Sequence, residues 1–316
     1  MREAYINHLS FALGERVATV EESAESGRTL SRAASLKEAG FRMHHLSAPE
    51  KSAYDLARRS VEEIKKELGE VGAIIYSTCI PGNGNIGDEK NFRESRDVKY
   101  LMDFAGSHLQ SDFGLERATV FGLTQQACTG MLGALRIAKM LLATEGEIRR
   151  VLCVTADRFP EGALYEQAYN LISDGAAACV VSDEPEGFRI VAGHGITNGA
   201  MALASDDETV GSYFGYSHRI IQETLAKAGL QLSDISWIVP QNTNIKASQI
   251  LSRLLKFDHE RFYYPTIEEV GHMISGDNIV NLRRLAEDGK VRPGERVLLF
   301  MAGYGLNWQC VILEKN

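Results

Sequence analysis

Four short stretches of this chain carry side chains able to do covalent or acid–base chemistry. The first is Gln125-Gln126-Ala127-Cys128-Thr129-Gly130-Met131. It lies between a short apolar run with strand character, 118–123, and an apolar helical run rich in small residues, 130–142. A cysteine there sits at a helix N-terminus, where the dipole and the unpaired N–H groups favour the thiolate, the form that attacks a thioester carbonyl. Ala127 and Gly130 are small enough for a tight turn and for close approach of a substrate. Packing in a core is the ordinary fate of a free cysteine, and the spacing alone fits both roles equally. Cys153, Cys179 and Cys310 fall inside apolar strands, where packing is the expected role; Cys79 closes another strand and is a weaker candidate.

A nucleophile needs a base. His272, in Gly271-His272-Met273-Ile274-Ser275-Gly276-Asp277, is the best placed of eight histidines, because flanking glycines suit close backbone approach before a helix. A solvated loop histidine fits that stretch as well. His44 and His45 read as surface or entrance residues, His194 and His218 as structural ones. The third stretch, Pro240-Gln241-Asn242-Thr243-Asn244, follows a strand, and ligands of α/β sheets bind at the carboxyl ends of strands. Its amides offer donors and acceptors but no proton shuttle, and capping of the next helix by Asn242 or Thr243 is the other reading. The fourth is Ala302-Gly303-Tyr304-Gly305, between two strands. Glycines there let backbone N–H groups face a developing oxyanion, which is compatible with a tight turn.

Apolar periodicity outlines the elements that must position these groups. Helices are expected over 52–68, 130–142, 211–228, 245–255 and 277–285, and strands over 71–79, 118–123, 151–156, 176–181, 235–239, 297–301 and 308–313. The plan of 52–79 recurs over 212–242, and that of 130–156 over 276–302, which reads as two copies of one α/β unit. Alternating strands and helices predict mostly parallel pairing. The division expected is 1–185, carrying Cys128, and 186–316, carrying His272. The polar, glycine-rich stretch 80–99, within an insertion spanning 80–107, is too long for a simple connection and reads as a functional or interface loop.

Composition narrows the classes. Net charge is -8, which disfavours a nucleic-acid partner. No apolar run approaches the roughly 18 residues that span a bilayer, so no membrane association is expected. The N-terminus has no signal-type apolar core, and a cytoplasmic location follows. The five cysteines form no CxxC pair, so neither a metal site nor a disulfide framework is expected.

Taken in order, these stretches resemble the thiolase-fold condensing enzymes, most closely the ketoacyl synthase III branch. QQACTGMLGAL is similar to that family's cysteine elbow, and Ser173-Asp174-Gly175-Ala176-Ala177-Ala178 to its DGAGA segment. Pro240–Asn244 falls where the family has His-Gln-Ala-Asn, and Gly271–Asp277 where it has Gly-Asn-Thr-Ser. Arg292-Pro293-Gly294-Glu295 and the stretch from Gly303 to Trp308 resemble its PGD turn and glycine-rich ending. The resemblance implies a thiolase-like fold, two pseudo-repeated βαβαβ halves in an α-β-α-β-α sandwich, and a homodimer.

Two departures matter. Gln241 stands where the synthases have a histidine, and His272 where they have an asparagine. Gly271-His272 is similar to the Gly-His motif of thiolases, yet the final loop, Gly303-Tyr304-Gly305, lacks their second cysteine. The resemblance therefore implies an acyltransferase-type member, with Cys128 acylated and His272 as base. Gln241 and Asn242 would be further catalytic amides, and Asp277 would orient His272 or cap the following helix. Backbone N–H groups of Cys128 and of Gly303, Tyr304 and Gly305 would hold the oxyanion, while Asn244 and Arg158 would contact substrate. No cofactor is expected beyond an acyl-CoA or phosphopantetheine-linked acyl substrate. The family's CoA-binding members stack adenine on a tryptophan in the N-terminal third. Here the tryptophans are Trp237 and Trp308, which favours an acyl carrier protein met by basic residues such as Arg158, Arg42 or Lys246. The alternatives are a carbon–carbon condensing 3-oxoacyl synthase using a malonyl thioester, and an inactive partner subunit of a condensing enzyme.

Overall fold

The computed structural model describes residues 2–168, 170–304 and 306–316, the side chain of Asp206 excepted. Its frame is a nine-stranded sheet. The strands are β1 (Tyr5–Leu13), β2 (Ala73–Ser77), β3 (Thr119–Leu123), β4 (Arg150–Asp157), β5 (Gly175–Ser182), β6 (Phe188–Thr197), β7 (Trp237–Val239), β8 (Arg296–Gly303) and β9 (Asn307–Lys315). They lie in the order β7-β8-β9-β6-β1-β5-β4-β2-β3. The main helices are α1 (Ala53–Glu63), α2 (Gly130–Thr144), α3 (Asp206–Ala228), α4 (Ile245–Leu255) and α5 (Asp277–Glu287).

The sheet narrows at its centre to Tyr5↔Arg189 and Ile6↔Phe188, where β1 meets β6. Outward from that waist, one half runs β1-β5-β4-β2-β3 and the other β6-β9-β8-β7. Ranked by chain order, the first half runs first, fifth, fourth, second, third and the second first, fourth, third, second; without the third strand of the first half the two orders are the same, as an internal repeat requires. In place of a third strand the second half has one parallel bridge, Ile238↔Phe262.

Pairing within the sheet differs from the expectation of mostly parallel strands. The β2–β3, β2–β4 and β7–β8 pairs are parallel, whereas β1–β6, β1–β5, β6–β9, β8–β9 and β4–β5 are antiparallel. Parallel neighbours need a crossover of a dozen or more residues. β9 follows β8 after three residues and can only turn back.

Strand side chains alternate between two buried faces. On β2, Ala73 and Ile75 join one cluster while Ile74 and Tyr76 join another. On β8, Val297, Leu299 and Met301 face inward while Leu298 and Phe300 face outward. This is why both strands read as unbroken apolar runs. The inward cluster holds Met131, Leu132 and Leu135 of α2 with Ile279, Val280 and Leu282 of α5. α1 covers the outer face of the first half through Leu56 and Val61, and α3 and α4 cover that of the second through Ile220, Leu225 and Leu251. The result is the α-β-α-β-α sandwich.

Helix α2 corrects a composition-based expectation. With its preceding turn, Ala127–Thr144 is long and apolar enough to cross a bilayer by length and composition. Its Met131, Leu132, Ala134, Leu135 and Ala138 instead fill the middle layer. The 80–107 insertion contains Pro81–Gly84, Glu89–Ser95 and Val98–Leu101 as short helical turns.

Candidate active site

Cys128 stands in a single 3-10 turn, Ala127–Thr129, that runs directly into α2. Ala127 takes φ 44° to make the elbow, a left-handed conformation that costs an L-residue roughly 1–2 kcal/mol. Packing holds it there. Ser275 Oγ donates to the Ala127 carbonyl at 3.1 Å, and Thr129 Oγ1 donates to the Gln126 carbonyl at 2.7 Å. Gly303 closes the elbow from β8, because a Cβ there would lie 2.8 Å from the Cys128 nitrogen. The backbone N–H of the nucleophile and the end of β8 therefore bound one small space, as an oxyanion site requires.

His272 arrives from the other half. Gly271 turns at φ 67°, where a Cβ would meet the Leu171 carbonyl oxygen at 2.9 Å. That turn lets the His272 N–H donate to the Leu171 carbonyl at 2.8 Å, while Ser173 N–H donates to the His272 carbonyl at 3.0 Å. The His272 Nδ1 faces Asp277 Oδ2 at 2.5 Å. Asp277, the first residue of α5, also accepts from Asn242 N–H at 2.7 Å and Met273 N–H at 2.6 Å. These bonds orient the imidazole and leave its Nε2 for Cys128.

The electrostatics follow from these contacts. A hydrogen bond from the Cys79 thiol, together with His272, holds the Cys128 thiol down to about 5, against burial and the more distant Asp277 charge. Burial opposes an imidazolium at His272, yet Asp277 and Cys128 outweigh it and lift His272 to about 10. At neutral pH the pair is a thiolate beside an imidazolium, the activated form of a cysteine nucleophile.

The other expected residues divide. Gln241 lines the cavity in front of Cys128; Ala302 N–H occupies its Oε1 at 2.6 Å, so the group it offers a substrate is its NH₂. Asn242 does not line that cavity. Its Nδ2 donates to the Gly271 carbonyl at 2.8 Å and to Thr266 Oγ1 at 3.0 Å, and its Oδ1 accepts from Asn281. It braces the His272 turn and has no group left for a substrate. Asn244 is a wall residue whose side chain caps α4. Arg158 is not at the cavity; it donates to the Pro49 carbonyl at 3.2 Å. Of the three basic candidates only Lys246 lines the cavity. Gly303 and Tyr304 line it too, whereas Gly305 lies outside the described residues.

The cavity encloses about 440 Å³. Ile80, Phe159, Tyr213, Phe214, Ile250 and Trp308 make its wall largely apolar, suited to an acyl chain. Trp308 stacks on Tyr216 at 4.2 Å between centroids. Among the described residues no group of three or more His, Cys, Asp or Glu could hold a metal ion.

Comparison with known proteins is decisive here. The 3-oxoacyl-[acyl-carrier-protein] synthase III model matches residues 124–199, and the model of its C-terminal part matches 225–315. The chain belongs to the ketoacyl synthase III-like family of thiolase-fold enzymes.

A β-ketoacyl-[acyl-carrier-protein] synthase III of Chlamydia caviae is 24% identical over 309 residues, covering 87% of this chain and 86% of its own. The solved synthase III of Pseudomonas aeruginosa superposes with a TM-score of 0.81 at 22% identity, over 99% of this chain and 98% of that one. A solved acyltransferase, ChlB3, superposes with a TM-score of 0.80 at 18% identity, over 99% and 98% of the two chains. Within this ketoacyl synthase III-like site stand two further residues, Cys79, a weaker candidate in the sequence, and Asp157, which no motif marks. Cys79 shares the cavity with Cys128. Asp157, fully buried and pushed up to about 6 by that burial, clamps the backbone beneath Cys79.

Proposed function

We propose that this ketoacyl synthase III-like enzyme transfers an acyl group from a carrier-protein or CoA thioester, through an acyl-Cys128 intermediate, to an acceptor nucleophile. The carrying observation is the charge-sorted Cys128–His272–Asp277 array, a nucleophile and base that suffice for transfer. The Cys128 thiolate attacks the thioester carbonyl. The oxyanion faces the Cys128 N–H beside Gly303. The intermediate collapses, and His272 gives its proton to the departing thiolate. Neutral His272 then takes the proton of the acceptor O–H or N–H as that atom attacks the acyl-cysteine. Collapse returns the Cys128 thiolate and leaves the imidazolium. No cofactor enters these steps.

The test is intact mass after incubation with acyl thioesters: a single acyl adduct in the native protein, absent from Cys128→Ala. An adduct that persists in Cys128→Ala overturns the reading. Condensation with a malonyl thioester is the second reading, and the names of the sequence relatives favour it. There, the Gln241 NH₂ and His272 would stabilise the enolate left by decarboxylation. Carbon dioxide released from labelled malonyl thioester in a His272-dependent manner would decide for it.

An acyl carrier protein is the preferred donor, because Trp308 is engaged with Tyr216 inside the fold. The two parts 1–185 and 186–316 act together, one supplying Cys128 and the other His272. A homodimer through β3 is the assembly we favour: that strand forms the sheet edge and is largely exposed, with Phe121 at 39%. An unpaired edge is a template for a second copy. Five free cysteines accord with a reducing, cytoplasmic compartment.

A further inference from the structure

We propose that Cys79 is a positioning residue of this site, donating its S–H to the sulfur of Cys128 and stabilising the anionic nucleophile between turnovers. The proposal rests on the acyl-Cys128 reading above. Two thiols on separate elements converge on one cavity: Cys79 two residues beyond the end of β2, and Cys128 in the elbow before α2. Facing one cavity, the two thiols act on each other's ionisation.

Two close thiols share their ionisation, and their surroundings decide which one keeps its proton. Cys128 faces the His272 imidazole, with Asp277 behind it. Among the described residues, no cation is one of the groups that act on Cys79. It is buried, and the Asp157 carboxylate at the end of β4 faces it, so the same bond that lowers Cys128 raises Cys79. Among the described residues, Lys246 of α4 is the other charged side chain lining the cavity. The proton therefore stays on Cys79 and points at Cys128.

The backbone that carries this donor is fixed. Asp157 Oδ1 accepts from Thr78 Oγ1 at 2.6 Å, Cys79 N–H at 2.9 Å, Ile80 N–H at 3.0 Å and Asn83 Nδ2 at 3.3 Å. A buried carboxylate with four donors from three successive residues and a neighbouring loop holds one turn in one place. A thiol that merely filled space would not require that clamp.

The test is site-resolved alkylation of the full-length protein by iodoacetamide across a pH series. It needs no acyl donor, so it stands or falls separately from the acyl-adduct experiment. In Cys79→Ala the reaction of Cys128 is expected to fall about fivefold at about pH 5 while recovering fully in alkali, as for a thiol raised from about 5 to about 6. Cys79→Ser, which keeps a short donor, should restore most of the loss. Superimposable native and Cys79→Ala profiles overturn the proposal. Should Cys79→Ala not fold, the order of labelling in the native protein decides. Cys128 labelled first, with Cys79 reacting only in alkali, supports the assignment; the reverse order overturns it.

Discussion

The Nδ1 of His272 lies 2.5 Å from Oδ2 of Asp277, with both side chains buried. A buried imidazolium is sustained only by a compensating charge. Asp277→Asn preserves the shape and removes that charge. Acylation of Cys128, timed by intact mass, is expected to slow about 10²–10⁴-fold. An unchanged rate would show that Asp277 serves α5 alone.

The charge-sorted pair predicts a bell-shaped pH profile. Cys128 titrates at about 5, so acylation should decline as the pH falls through that value and the thiolate is protonated. His272 titrates at about 10, so turnover should decline as the pH rises through that value and the proton for the leaving thiolate is lost. The limbs belong to the coupled pair. The measurement is kcat/KM for acyl transfer against pH, and an acidic limb at an ordinary thiol value, about 8.5, would contradict the ion pair.

Gly271→Ala should disable the site without touching a reacting atom. The residue sits at φ 67°, and a methyl group would meet the Leu171 carbonyl oxygen at 2.9 Å. Strain of this kind costs about 1–3 kcal/mol. Lower thermal stability together with slower Cys128 acylation is expected, because the same turn carries His272. An unaltered melting temperature would count against the clash.

His44 predicts a separate loss of stability in acid. Burial holds it neutral, lowering it from 6.5 to about 4. Its ring nitrogens meet the Ile172 carbonyl at 2.6 Å and Ser23 Oγ at 2.7 Å. Above about pH 6.5 the folded and unfolded chains bind the same number of protons here. Below it the unfolded chain gains a proton that the folded chain refuses, so stability should fall from about pH 6.5 to about 4. Urea unfolding at several pH values tests this, with a shallower decline expected in His44→Gln.

Much of the site was legible because its chemistry lies in short glycine-marked segments. The Cys128 elbow and the Gly271–His272 turn each declare their backbone needs in sequence. Asn242 did not, since its role depends on the Gly271 carbonyl and Asn281, both distant in the chain. The Cys79–Cys128 contact is likewise a tertiary fact. Two central strands escaped for local reasons. In β1 the ladder shifts between Asn7 and Ser10, with His8 at φ 50°, and this breaks the alternation that signals a strand. β6 contains Gly193 and Gly195, which read as breakers. Both leave room for Arg136 of α2, whose side chain a Cβ would meet at 2.8 Å and 2.5 Å.

The two helices of the middle layer begin alike. Ala127 stands at φ 44° in the turn before α2 and Ile274 at φ 47° in the turn before α5, and Ser275 ties one turn to the other. If the halves descend from one duplicated unit, a symmetric ancestor would have brought two identical helix starts face to face. Identical residues there could supply two nucleophiles or two bases, but not one of each. The present division of labour is then symmetry breaking: the place of Cys128, one residue after Ala127, is held by Ser275 after Ile274, while His272 stands two residues before that second turn, and the shared backbone contortion is the trace of the common mould.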